Sequence, residues 1–191
     1  MRVTAMSKNQ ITEGVIWKQL LFFFFPILLG TLFQQLYNTA DTVVVGRFVG
    51  TQALAAVGGS TGQIVNLVVN FFVGLASGAT VIIARYYGAR DRIKLNNALH
   101  TAIALSIVGG IVTGIAGILL TPSLLKMMNT PADVIEGSTM YLRIYFAGII
   151  FVFVYNIGSG ILRAVGDSKR PLYFLIVCCF LNIFLDILFV V

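Results

Sequence analysis

Three observations predict an all-α polytopic membrane protein. Hydrophobic residues make up 58% of the 191-residue chain and charged residues only 10%, against roughly 25% charged in an ordinary soluble domain, and mean hydropathy is +0.94. Several apolar stretches reach the roughly 20 residues that a helix needs to cross a bilayer core of about 30 Å, and none shows the short alternation of a barrel strand. The basic residues gather between these stretches, so the formal net charge of +6 reads as orientation in the membrane, and a nucleic-acid partner is excluded. The two cysteines, Cys178 and Cys179, are adjacent within an apolar run, which offers neither a zinc ligand set nor a disulfide framework.

Five spans are predicted, at about 20–45, 53–86, 95–120, 138–162 and 171–191. Residues 1–16 precede them as a polar lead, with Trp17 at headgroup depth. The first apolar segment is much longer than a signal core and no small-residue cleavage pattern follows, so the first span is expected to stay in the product. Inside it, Pro26 removes one backbone hydrogen bond and is a candidate helix hinge. Span two carries Gln63, Asn66, Asn70, Gly74 and Ser77 at spacings of three and four. Its Gly74-Leu-Ala-Ser-Gly78 matches the GxxxG pattern of close helix packing. Span three opens with His100, which reads as an interfacial or packed residue before a proton shuttle, and the span's glycines Gly109, Gly110, Gly114 and Gly117 predict a packing surface. Pro122 and Pro131 break the pattern, predict the longest connection, and leave Asp133 or Glu136 to open the next helix near its positive end. Span four holds Arg143 and Asn156. Span five starts at Pro171, a favourable first-turn residue, and contains Asn182 and Asp186 on one face.

Orientation follows from the basic residues near the span ends. One side collects Arg2, Lys8, Lys18, Arg85, Arg90, Arg92, Lys94, Arg163, Lys169 and Arg170, and the other has Arg47 and Lys126 with Arg143 close by. This asymmetry places the N-terminus in the cytoplasm. Spans one, three and five then run outward. The chain stops on Leu188-Phe-Val-Val191 without a polar flank, which predicts a product truncated after its fifth helix.

Two carboxylates lie inside these spans. A charged Asp at the centre of a spanning helix costs roughly 2.5 to 3.5 kcal/mol on insertion scales and normally faces a bundle interior or a wet cavity. Asp41 shares a helical face with Gln34 and Asn38, with Tyr37 one turn before it; Asn182 stands one turn before Asp186 in the same way. Both acids lie toward the outer ends of parallel spans, so they are expected to share one cavity, to which Asn156 adds an amide if its helix packs alongside. A paired, desolvated carboxylate can hold a proton near neutral pH. Alternatively, Asp41, Asp186 and Asn182 offer oxygen ligands to a small hard cation such as sodium. An organic cation would compete for the same charge, the mutual exclusion that exchange transport requires.

The order of Pro26, Gln34-Gln-Leu-Tyr-Asn-Thr-Ala-Asp41, Gly50-Thr-Gln-Ala-Leu-Ala-Ala-Val-Gly58, Gly88-Ala-Arg-Asp91, Tyr141-Leu-Arg143, Arg163-Ala-Val-Gly-Asp-Ser-Lys-Arg-Pro171, Asn182 and Asp186 resembles the N-terminal lobe of the multidrug and toxic compound extrusion (MATE) family. The resemblance runs through nearly all 191 residues. It implies a bacterial inner-membrane antiporter that exports drug-like, cationic and amphipathic molecules in exchange for protons or sodium, built as two lobes around a central cavity and needing no cofactor. It implies Asp41 and Asp186 as the coupling site, with Gln34, Tyr37, Asn38, Asn156 and Asn182 lining the cavity beside them. Here the sixth helix and the second lobe are absent, and alternating access rocks one half against the other. The isolated chain is therefore expected to be inactive without the missing C-terminal half.

The alternatives are a flippase of lipid-linked precursors, which would need cationic groups where these acids stand, and a non-transporting membrane interaction module, which leaves the acids unexplained. No paired histidines, nucleophile with a base or metal set appears, so an enzyme is not expected.

Overall fold

The computed structural model describes residues 15–190; most of the predicted lead, residues 1–14, and the final residue of span five lie outside the described residues. The fold is all-helical. Helix α1 (Ile16–Val44) passes through Pro26 and runs into one π-helical turn, Val45–Val49. Helix α2 (Thr51–Gly58) precedes α3 (Ser60–Gly88), followed by α4 (Arg92–Met127), α5 (Ile135–Ala164) and α6 (Lys169–Val190). Five stretches are long and apolar enough to cross a membrane: Ile16–Val49, Thr51–Gly88, Arg92–Met127, Ile135–Ala164 and Lys169–Val190.

Two expectations about helix limits are corrected. Span two is interrupted at Gly59, where a side chain would stand 2.8 Å from the carbonyl oxygen of Ala55, so the chain bends on a residue without one. Span three does not end at Pro122. Helix α4 continues through it to Met127, and the preceding Thr121 hydroxyl donates back to the Gly117 carbonyl at 2.6 Å. Membrane helices tolerate an interior proline where side chains and neighbouring helices re-satisfy the backbone. Glu136 lies in the first turn of α5, as expected of one of the two candidate acids.

Helices α3, α4 and α5 form one bundle. Lipid is as apolar as leucine, so helices associate in it through close fit and hydrogen bonds rather than through exclusion from water. The fit comes from glycine. A Cβ on Gly110 would stand 2.8 Å from the Ile150 backbone, one on Gly114 would stand 2.9 Å from the Phe146 carbonyl oxygen, and one on Gly117 would overlap the Phe146 ring. The GxxxG pair that packs is therefore Gly110 and Gly114 of α4. At Gly74 and Gly78 of α3 an added Cβ meets nothing within 4 Å. Leu125, Leu142, Phe146, Ile149 and Phe153 form the buried core, where Phe72 of α3 stacks on Phe153. Buried Ser138 of α5 pins α2 by donating to the Ala56 carbonyl at 3.0 Å.

Helix α6 leaves this bundle and packs on α1, touching its sequence neighbour α5 only slightly. Gly30 of α1 faces Leu175 of α6, and Asp41 faces Asp186. Each acid lies eleven residues beyond its helix's member of the first pair, so α1 and α6 run parallel and in register.

The loops that return the chain to α4 and to α6 share one design. Arg90 (φ 56°) and Gly166 (φ 89°) take left-handed backbone, and the next N–H, of Asp91 or Asp167, bonds to the carbonyl of Tyr86 or Leu162, closing a Schellman motif. The aspartate side chain then caps the following helix. Asp91 accepts from the Lys94 N–H at 3.0 Å, and Asp167 accepts from the N–H groups of Lys169 and Arg170 at 3.2 and 3.1 Å.

Candidate functional site

The parallel register brings the two span acids together. The Asp41 carboxyl stands within hydrogen-bonding reach of the Asp186 carboxyl and the Asn182 side chain. Three oxygens of this group, Asp41 Oδ1, Asn182 Oδ1 and Asp186 Oδ2, are buried and accept no hydrogen bond from any described residue. Each is an acceptor, and ionised carboxylates have no proton to offer one another. Among the described residues, no lysine or arginine is among the side chains acting on the Asp41 carboxyl.

Tyr37 sits one turn below on α1, within hydrogen-bonding reach of Gln34 and close to Asp41 and to Cys178 and Cys179 of α6. Gln34 and Asn156 lie apart from the acids. Both line a separate recess of about 110 Å³ between α1, α5 and α6, whose other end is closed by Pro26, Arg163, Ser168 and Pro171. The Asn156 amide donates to the Val152 carbonyl of its own helix at 2.8 Å. Asn38 is exposed and turns its amide to Gln35 Oε1 at 3.4 Å. The acid pair thus gathers Asp41, Asp186 and Asn182 with Tyr37 beneath, while Gln34 and Asn156 mark the cleft leading away.

Sequence reasoning passed over the tyrosines of α5. Tyr141 lies close enough to Asp41 to feel its charge, stacks with Tyr145 at a ring separation of 6.4 Å, and Tyr145 neighbours Tyr37. Tyr155, further along, lies near Tyr37, Cys178 and Ser159. The signal was present in the order Tyr141, Tyr145, Gly148, Val152, Tyr155, Ser159, whose spacings of four and three define one face. Gly148 adds open space to that face, since a Cβ there meets nothing within 4 Å.

The profile of the MatE family matches residues 26–188, from the proline of α1 to just beyond the second acid. The chain belongs to the MatE family. It is 35% identical over 185 residues to the probable multidrug resistance protein YpnP of Bacillus subtilis (strain 168), covering 97% of this chain and 41% of that protein. With the probable multidrug resistance protein YoeA of the same organism it is 34% identical over 168 residues, covering 88% of this chain and 36% of YoeA. Solved structures of MATE in the straight and in the bent conformation match with TM-scores of 0.86 and 0.85, each at 31% identity, 95% of this chain and 40% of theirs. The chain therefore spans about 36% to 41% of the length of these relatives. It is a MatE multi-pass membrane protein, of a family whose members are transporters.

Proposed function

We propose that this chain forms the cation-coupling lobe of a MatE antiporter, in which Asp41, Asp186 and Asn182 bind a proton or a sodium ion in exchange for an exported organic cation. The observation that carries the reading is the set of three buried acceptor oxygens that no described residue bonds to. A proton bridging the carboxyls, or a hard cation held by two carboxylates and an amide oxygen, resolves that conflict. A cationic drug-like molecule neutralises the same site, so cargo and coupling ion displace each other, and that antagonism drives exchange. Tyr37 and the α5 tyrosines give aromatic walls for an amphipathic cation, and Gln34, Asn38 and Asn156 give polar ones. A flippase of anionic lipid-linked precursors fits less well, because acids rather than cations stand at this depth.

Pro26 is the proposed hinge of α1. It lies in the wall of the recess that leads away from the acids, and relatives with matching helices adopt both straight and bent forms. The 191 residues form one wall of the cavity, so they are proposed not to transport by themselves; resistance conferred by this chain alone in cells lacking other efflux pumps would overturn that part. The setting proposed is a bacterial inner membrane with the N-terminus cytoplasmic, the side on which the loops carrying Arg85, Arg90, Arg92, Lys94, Arg163, Lys169 and Arg170 gather.

The test is cation-driven efflux by the full-length protein in membrane vesicles, with proton and sodium gradients imposed separately. Asp41→Asn and Asp186→Asn should each lower efflux by about tenfold or more, the scale of a lost charged contact. Normal efflux by both variants would sink the shared site.

A further inference from the structure

The recess between α1, α5 and α6 ends on Arg163, an arginine without a counter-ion among the described residues. On this end of the molecule the ion pairs among the described residues are Lys94 with Asp91 at 3.3 Å and Arg170 with Asp167 at 3.1 Å, so the nearby carboxylates are already engaged. Asp167 is further neutralised by two backbone N–H groups. An arginine in the last helical turn often covers orphan carbonyls. Here that role is filled, because the N–H groups of Val165, Gly166 and Asp167 already bond to the carbonyls of Ile161, Arg163 and Leu162.

Arg163 is half-buried and lines the recess instead, together with Tyr155, Ser159 and Ser168. Ser168 is only 5% exposed, opens onto the recess, and its hydroxyl has no hydrogen-bond partner among the described residues. Ser159, also 5% exposed, is within reach of the Tyr155 hydroxyl. A volume of about 110 Å³ is several times the ~10–15 Å³ that one water needs, so a polyatomic group fits.

From this geometry we propose an anion site, distinct from the acid pair, in which Arg163 and Ser168 hold a phosphate group at the basic end of the lobe. Arginine presents a planar fork matched to phosphate oxygens, and partial burial strengthens each charged hydrogen bond. The phosphate is either free or the headgroup of a phospholipid entering between α1 and α6.

The test follows the thermal unfolding midpoint of the purified 191-residue chain in neutral detergent. Inorganic phosphate, dihexanoylphosphatidylglycerol or dihexanoylglycerol is titrated in. A saturable rise with inorganic phosphate alone assigns the site to free phosphate, a rise with the phospholipid alone assigns it to a headgroup, and a rise with both shows that the phosphate group suffices. Dihexanoylglycerol should give none. Arg163→Gln should weaken the apparent affinity by about tenfold and Ser168→Ala by about threefold, since an arginine contributes a full charge and a two-pronged contact and the hydroxyl a single hydrogen bond, with Arg163→Lys between them. Arg90→Gln, which alters the basic surface outside the recess, should bind like the unaltered chain. The proposal fails if no phosphate compound saturates, or if Arg90→Gln weakens binding as much as Arg163→Gln. Should Arg163→Gln not fold, unchanged binding by Ser168→Ala overturns the site equally.

Discussion

In the α3–α4–α5 bundle the backbones touch, because Gly110, Gly114 and Gly117 leave no room for a side chain against Ile150 and Phe146. In the α1–α6 pair only Gly30 makes such an approach, and it meets the tip of Leu175 at 3.1 Å. The bundle holds the buried aliphatic and aromatic core, whereas the pair holds both span acids and flanks the polar recess. Residues whose substitution disturbs the fold are thus concentrated away from those proposed to bind the coupling ion. An oxygen cluster with unmet hydrogen bonds destabilises whatever carries it, and here it sits on the pair of helices that lies outside the core bundle.

This contrast can be broken by substitution. The largest effect on folding is expected at the glycine seam. Gly117→Leu should abolish the bundle, and even Gly117→Ala should cost about 1 to 3 kcal/mol or more by overpacking, seen as a collapsed yield of folded protein in detergent. Next comes Asp41→Asn, which should remove coupled efflux in the full-length protein while leaving the unfolding midpoint unchanged or higher, since a buried carboxyl with unmet oxygens loses its charge. A large fall in that midpoint would show that the acid pair is structural. Ser138→Ala removes the buried bond to the Ala56 carbonyl and should cost about 1 to 3 kcal/mol, measured by chemical unfolding and expected to loosen α2 without touching the acid pair. Gly30→Ala should cost less than any of the bundle glycines, because a leucine methyl can yield where a backbone cannot.

The smallest effect is expected in the loops. At Asp91 the Lys94 N–H, followed by the Lys94 ammonium, holds the carboxyl below the usual aspartate range. A depressed folded-state pKa means that the ionised cap stabilises the fold above the unfolded value of about 3.9. That contribution is lost as pH falls through the lowered value. Asp91→Ala should therefore lower the unfolding midpoint slightly at neutral pH and make no difference in strong acid.

The number of spans, the family and the pairing of Asp41 with Asp186 were legible in the sequence, because lipid forces long apolar runs and penalises an isolated charge. The break at Gly59, the passage of α4 through Pro122 and the π-helical turn after Val44 were not. Each depends on a contact or backbone bond between residues that composition does not connect, such as Thr121 reaching back to Gly117. The packing role of Gly110 and Gly114 rather than of Gly74 and Gly78 was hidden for a related reason: the same motif occurs on two helices, and only the neighbour decides which one closes. The separation of Asn156 from the acids also escaped sequence reading, because the amide is satisfied along its own helix.

The contact between Gly30 and Leu175 has a consequence for alignment. Two parallel helices can slide past each other like a key in a slot, and a slip of one residue would carry Asp186 about 1.5 Å along the axis and turn it by roughly 100°. Asp41 would then face a different side chain altogether. The close approach of Leu175 to Gly30 favours one register and so helps to hold the carboxyls opposite each other from eleven residues away. A bulkier residue in place of Gly30 could misalign the acids without altering either of them.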